Sequence, residues 1–147
     1  MSVSKIFLTL ETIWFRAVRR YAKKVKAHNK EKIMERILTG ERYSVTTDEY
    51  TSVQNKRFSA VSLHPSTGRP IKIGMTRIYG SLPGKKAASD LNKKLEEYGL
   101  EEGLHTVANT TDGASVMCAM GKQLKGRHQI CHSHGIHLAG KKILKMF

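Results

Sequence analysis

Acidic residues and cysteines are scarce in this chain of 147 residues, and no apolar run approaches the length needed to span a membrane. Its two cysteines, Cys118 and Cys131, do not make a disulfide framework. Such low cysteine content is typical of proteins from a reducing compartment, the cytosol or the nucleus. A disulfide-stabilised scaffold and a membrane-spanning protein are therefore not expected, and no membrane partner is predicted.

The shortage of acids leaves a large positive charge. Against 26 lysines and arginines there are 12 aspartates and glutamates, for a net charge of +14. A charge of this size favours a polyanionic partner, nucleic acid before a membrane surface. The alternative is a ribosome-associated or simply soluble basic protein.

A long helix is predicted from Lys5 to Leu38, because apolar residues recur at three- and four-residue steps, and Thr39-Gly40 ends it. No acid lies between Glu11 and Glu31. A DNA phosphate-binding surface is predicted there, and a solvated helix face or a nuclear-import patch is the alternative. The residues predicted to bind DNA are Arg16, Arg19, Arg20, Lys23, Lys24 and Lys26.

Three alternating runs follow, over Tyr43–Ser52, Arg57–His64 and Ile71–Tyr79. Their period of two and their β-branched residues predict three strands in an antiparallel meander. The rest of the chain predicts helices and strands in alternation. These are a helix over 85–98, a strand over 104–111, a helix over 113–124, a strand over 127–131 and a helix over 132–146. The apolar residues predicted to pattern the three helices are, in turn, Ala88, Leu91, Leu95 and Tyr98; Ala114, Met117 and Leu124, pointing inward; and Ile136, Ala139 and Ile143.

This element order matches an α/β, ribonuclease-H-like mixed sheet with flanking helices. A right-handed crossover would place the fourth strand parallel to the first. Asp48 and Asp112, each closing a Thr-Thr-Asp run, would then lie side by side. We therefore predict a basic helical segment over 1–40 and a partial ribonuclease-H-like domain over 41–147.

Two neighbouring carboxylates repel each other, and a divalent cation removes that repulsion. Oxygen ligands favour Mg²⁺ or Mn²⁺, and such ions position an attacking water or hydroxyl for phosphoryl transfer. Asp48 and Asp112 are accordingly predicted as metal ligands. The alternatives are a helix N-cap for Asp112 and a surface acid for Asp48.

Several phrases of the sequence resemble the catalytic domain of the hAT superfamily of cut-and-paste DNA transposases. They are Ser44-Val-Thr-Thr-Asp-Glu-Tyr-Thr-Ser52, Val61-Ser-Leu-His64, Val107-Ala-Asn-Thr-Thr-Asp-Gly-Ala-Ser-Val-Met117, and Cys131-His-Ser-His134 followed by Ile136-His-Leu138. The resemblance covers residues 41 to 147. It implies a nuclear protein acting on transposon ends with a divalent metal, in which Asp48 and Asp112 match the first two catalytic acids. Cys131 and His134 match a Cys-x-x-His block near the active site.

The family's third acid, a glutamate beyond a large helical insertion, has no counterpart, since residues 113 to 147 contain no acid. The zinc finger that usually precedes the domain is also missing. We therefore expect a shortened relative that binds DNA and keeps a partial strand-cleavage and strand-transfer site, inactive alone. The alternative is a non-catalytic DNA- or protein-binding module. A small nuclease would need Glu49 as third ligand, and Glu49 is predicted on the opposite strand face.

Five potential zinc ligands crowd ten residues near the C-terminus, but they lack the second, separated pair that structural zinc sites use. The pattern favours histidines at a polar helix start over zinc. These residues are His128, Cys131, His132, His134 and His137. Beyond DNA, a full-length transposase or a second copy of the chain is the expected partner.

Overall fold

A computed structural model describes residues 3–145 of the chain, with side chains described over 14–145. The helices are Val3–Leu38 (α1), Gly84–Glu96 (α2), Ser115–Gly121 (α3) and His132–Leu144 (α4). The strands are Tyr43–Thr51 (β1), Arg57–Pro65 (β2), Ile71–Ile78 (β3), Thr106–Thr111 (β4) and Arg127–Ile130 (β5). Across the described residues, no helix combines the length and apolarity that crossing a membrane would require.

The five strands form one mixed sheet in the order β3-β2-β1-β4-β5. The first three pair antiparallel as a meander, and β4 and β5 pair parallel to β1 and to each other. Each parallel connection contains a helix, because a parallel neighbour is reached only by a crossover. The predicted α/β class, the meander and the parallel strands are confirmed.

One face of the sheet, here called the inner face, carries the apolar core. Tyr43, Val45 and Leu63 alternate onto it and are fully buried. The amphipathic helix α2 covers this face with α3, and all four apolar residues predicted for the helix over 85–98 are buried, the last of them just beyond the end of α2. They are Ala88, Leu91, Leu95 and Tyr98. Ile33 of α1 is fully buried in the same core, so the last turns of α1 pack as part of the sheet domain.

Helix α3 is shorter than the predicted 113–124. It begins at Ser115, because Gly113 has a positive φ of 83° and Ala114 is extended. The prediction that Ala114 points inward is wrong, since it is exposed, while Met117 and Met120 are buried. After α3, Glu102 shapes the turn into β5 by accepting bonds from the backbone N–H groups of Lys125 and Gly126.

Helix α4 carries no buried residue among its described side chains. Ile136, Ala139 and Ile143, which pattern the predicted helix, are exposed. The predicted end at Met146 lies outside the described residues. An apolar spacing in a short helix thus did not correspond to a packed face.

Candidate functional site

A cleft of about 330 Å³ opens where β1 and β4 end and α4 begins. Its lining combines two carboxylates, two imidazoles, one thiol and several hydroxyls. The lining residues are Thr46, Thr47, Asp48, Thr111, Asp112, Cys131, Ser133, His134 and His137. All four residues predicted for the chemical site, Asp48, Asp112, Cys131 and His134, line this one cleft.

Strand register explains how the two aspartates come to line one cleft. In the parallel pair of β1 and β4, Thr46 lies beside Thr110. Two residues further along each chain are Asp48 and Asp112. Side chains two apart share a face, and so do paired residues of neighbouring strands. Both carboxylates therefore lie at the same rim, on the outer face of the sheet, opposite the apolar core.

The two carboxylates have different surroundings. Asp48 is exposed on β1, while Asp112 is half-buried just after β4. One oxygen of Asp112, Oδ1, accepts a 3.0 Å hydrogen bond from the backbone N–H of Ala114. The N-cap position of α3 is Ala114 itself, without a side-chain cap bond, so Asp112 holds the turn ahead of the helix. This bond uses only one of its two oxygens.

Cys131 and His134 reach the cleft through the start of α4. The Cys131 N–H donates a 2.7 Å bond to the Thr111 carbonyl, which ties the end of β5 to the end of β4. Cys131 then occupies the N-cap position of α4. His134 and His137 are three residues apart on this helix and therefore share a face. His137 was not predicted as a site residue, although its spacing from His134 was the available signal.

The histidines that crowd the sequence separate in space. His128 lies on β5 with its Nε2 2.9 Å from Thr111 Oγ1, and it packs against Gly121 on the inner face. His134 and His137 line the cleft. The Cys118 thiol, on α3, donates to the Gly113 carbonyl at 3.4 Å. The end of β5 and the start of α4 thus separate His128, on the inner face, from His134 and His137, in the cleft.

His64 adjoins the cleft, and sequence reasoning gave it no role. Its Nε2 lies 2.9 Å from Oγ1 of the cleft residue Thr46. His64 pairs with Ser44 across β1 and β2, which places it on the outer face. Strand alternation was the available signal: Val61 and Leu63 are buried, so His64, at an even-numbered position of the same strand, belongs to the opposite face.

Glu49, one residue after Asp48, belongs to a different interaction. Its carboxylate binds Arg57 through two bonds, of 2.6 and 3.0 Å, and raises the pKa of that guanidinium. Glu49 pairs with Ser59 across β1 and β2, and strand alternation assigns its side chain to the same face as Val45, the inner face. The prediction that strand alternation turns Glu49 away from Asp48 is confirmed.

The donor set of the cleft suits a hard cation that needs few protein ligands. Within residues 14–145, no three His, Cys, Asp or Glu side chains are grouped closely enough to enclose one ion. Mg²⁺ is commonly held by one or two carboxylates, with water and substrate phosphates completing its shell. Asp48 and Asp112 fit that mode of binding, and they do not form a dedicated cage.

The predicted DNA-binding residues lie on one exposed side of α1. Lys26 differs from the others: it forms an ion pair with Glu97 and lies 5.8 Å from the centre of the Tyr98 ring. The bond to Glu97 raises the pKa of Lys26. Arg16, Arg19, Arg20, Lys23 and Lys24 are exposed and pair with no carboxylate among the side chains of residues 14–145.

No model of a known protein family matches the chain, and no curated protein sequence matches it either. Its function is therefore argued from the residues of the cleft, from the basic side of α1 and from the sheet that positions them.

Proposed function

We propose that the chain is a transposase-derived, ribonuclease-H-like domain that binds DNA and retains part of a metal-dependent strand-cleavage and strand-transfer site. The observation that carries the proposal is the cleft shared by Asp48 and Asp112, which come from the ends of neighbouring parallel strands. Strand order β3-β2-β1-β4-β5, with an antiparallel meander on one side, is compatible with this fold. The hAT-like phrases of the sequence supply the reaction class.

The residues of the cleft have distinct parts in this proposal. Asp48 and Asp112 supply hard oxygen ligands for Mg²⁺ or Mn²⁺. A bound ion of this kind polarises a phosphoryl oxygen and lowers the pKa of the attacking water or hydroxyl. His134 and His137 border the same cleft and can donate hydrogen bonds to a phosphate.

Strand cleavage by this chain alone is not expected. Residues 113 to 147 contain no acid that could act as the third ligand. Without it, the metal and the attacking group lose part of their alignment, and alignment supplies much of the rate in phosphoryl transfer. The proposed activity therefore consists of DNA binding together with a metal site of two carboxylates.

The metal site is tested by titrating Mn²⁺ into the wild type, Asp48→Asn and Asp90→Asn. Asp90 lies on α2, away from the cleft, so its variant is a matched control for the loss of one negative charge. We expect Asp48→Asn to weaken Mn²⁺ binding about tenfold or more, because it removes one of two ionised ligands. Asp90→Asn should bind as the wild type does. Equal binding by all three proteins would overturn the site.

DNA binding is tested by the salt dependence of duplex affinity. Each phosphate contact contributes about 0.9 to the slope of log K against log salt, so losing two contacts should lower the slope by about two. Lys23→Gln/Lys24→Gln removes two charges from α1, and Lys85→Gln/Lys86→Gln removes two exposed lysines from α2. Only the first pair should lower the slope. A flat salt dependence of the wild type would exclude phosphate-driven binding.

A non-catalytic module of the same fold is the second candidate. It is favoured by the bond of Asp112 Oδ1 to Ala114, which gives this carboxylate a structural part in the turn before α3. The two candidates differ in a cleavage assay with Mn²⁺. Background cleavage that is equal in the wild type and Asp48→Asn would leave DNA binding as the only function.

A further inference from the structure

Helix α1 exposes an apolar stripe over residues 14–25, ahead of the turns that pack into the core. Trp14, Val18, Tyr21 and Val25 are 65%, 42%, 71% and 38% exposed. Phe15 adds to this surface and packs edge-on against Trp14, with ring centroids 5.9 Å apart. Helices of soluble proteins normally turn such a stripe towards a core. Here only the later turns, around Ile33, do so.

The spacing of the stripe is that of a helix–helix seam. Its residues follow one another at steps of four, three and four, which is the alternation of positions d and a in a heptad. The positions that flank such a seam are here Phe15, Ala17, Ala22 and Lys24, of which only one is charged. A second helix can therefore approach closely.

The basic residues lie on the other side of the same helix. Arg16, Arg19, Arg20 and Lys23 occupy the outer heptad positions b, c and f, which point away from a paired helix. Lys26, also at position b, is instead paired with Glu97 beside the groove that Tyr21 and Val25 line. Two copies of α1 can thus pair along the stripe while most of their positive charges stay apart. A foreign helix would be selected through charged flanking positions, and this seam has almost none. The pattern suits self-pairing.

Side-chain volumes set the direction of the pair. In a parallel pair, Trp14 would face Trp14 and Tyr21 would face Tyr21, which crowds aromatic rings into the same layers. In an antiparallel pair, Trp14 faces Val25 of the second copy, and Val18 faces Tyr21. Each layer then combines one aromatic ring with one valine, and cores pack best when large side chains face small ones.

The seam also continues into the domain. Tyr21 and Val25 line a groove of about 410 Å³ between α1, β3 and α2, with Ile73 and Tyr98 in its wall. In the antiparallel arrangement, Trp14 of the second copy lies beside Val25 and thus at this groove. An aromatic anchor that enters a partly apolar pocket is the usual centre of a protein–protein interface.

We propose that residues 14–25 of α1 form an antiparallel helix pair with the same residues of a second copy, with each Trp14 at the groove of the other chain. The two basic sides then face outward, and they form one positive surface longer than either helix supplies alone. This inference does not depend on the metal site, and it adds a specific surface and partner to the proposed DNA binding.

Sedimentation of the full chain over a concentration series tests the pairing, with the wild type compared with Val18→Lys and Ala27→Lys. Both variants add one positive charge to exposed positions of the same helix, but only Val18 lies in the stripe. Val18→Lys should weaken the association constant about tenfold or more, as loss of a central contact does, while Ala27→Lys should change it less than about twofold. Circular dichroism of both variants checks that they remain folded.

Salt provides a second readout. From about 0.1 M to about 1 M NaCl, the Debye length falls from about 10 Å to about 3 Å, which screens the repulsion between two chains of like charge. Pairing should therefore strengthen with salt, whereas DNA binding weakens. A wild type that stays monomeric at every concentration and salt level would overturn the proposal. Equal weakening by both variants would also overturn it. So would an efficient disulfide between two copies of Val18→Cys, because residue 18 faces residue 18 in a parallel pair.

Discussion

The two faces of the sheet use alternate residues of the same strands for different purposes. On the inner face, Val45 and Leu63 are fully buried beneath α2 and α3. On the outer face, their neighbours Thr46 and Ser62 are half-buried polar residues, and this face leads to the cleft of Asp48 and Asp112. Because side chains alternate along each strand, the residues that stabilise the core and the candidate chemical residues lie on opposite faces of the sheet. A substitution on one face should therefore change the free energy of unfolding by a different amount from the same type of substitution at the next residue, which lies on the other face.

Helix α1 shows the same contrast along its length. Its final turns contribute Ile33 to the core, and its residues 14–25 expose an apolar stripe and a basic side. The packed part fixes the helix to the domain, and the exposed part carries the surfaces that we propose bind DNA and a second copy.

The largest effect is expected from truncating the inner face. Leu63→Ala should lower the free energy of unfolding by about 2–5 kcal/mol, because it removes fully buried methyl groups and leaves a cavity. Ser62→Ala, on the outer face, should change it by less than about 0.5 kcal/mol. Urea denaturation measures both. Similar losses for the two variants would mean that the outer face is also a packed core.

A smaller effect should distinguish two adjacent threonines. Thr46 Oγ1 is bonded to His64, whereas the buried Thr47 Oγ1 has no partner among the described residues. Thr46→Val should therefore lower the free energy of unfolding by about 1 kcal/mol, and Thr47→Val should leave it unchanged or raise it.

The same two variants bear on the cleft. Val at 46 leaves His64 without its hydroxyl partner, so the NMR signal of the His64 ring nitrogens should shift in Thr46→Val. In Thr47→Val it should stay as in the wild type. The reverse pattern of stability or of the His64 NMR signal would contradict the assignment of these residues to opposite faces.

The smallest effect is expected where α1 meets the domain. The ion pair with Lys26 lowers the pKa of Glu97, so its stabilisation is present above the usual carboxyl pKa and is lost as pH falls through the lower folded value. Lys26→Gln should cost up to about 1 kcal/mol near neutral pH, since both side chains are largely exposed. Lys94 also binds Glu97 and reduces the loss.

This cost should disappear in acid, where Glu97 is protonated, and in high salt. Lys30→Gln, one turn further along α1, is the matched control and should show no such pH dependence. Thermal melting at several pH values measures both variants. An equal loss for Lys30→Gln would assign the effect to the general charge of the helix.

Much of the secondary structure was predictable because it repeats locally. A period of two marked the first three strands, and a helical stripe marked α2, whose four predicted residues are all buried. The start of α3 was predicted wrongly because the positive φ of Gly113 is a property of one residue, which periodicity does not report. The spacing of Ile136 and Ile143 gave no information on packing, because a short helix can bear apolar residues without a surface to cover.

The site was predictable in part. Asp48 and Asp112 were identified because each ends a Thr-Thr-Asp run, and their roles as ligands and catalytic acids remain predictions. His64, which adjoins the cleft, and His137, which lines it, were not predicted there. The ion pair of Lys26 with Glu97 was not predicted either, and the DNA-binding role of Lys26 stays a prediction. Ion pairs such as Lys26–Glu97 join residues far apart in the chain, and local patterns carry no information about them.

Short-range patterns therefore determined which segments are strands or helices and which side of each is apolar, because these follow from the repeat of the backbone. Pairing of β1 with β4 decided that two distant acids share a rim, and the packing of α1 against β3 and the core decided which of its residues remain exposed. These outcomes depend on contacts between residues that are distant in the chain. Such contacts form, and contribute free energy, only when the chain folds.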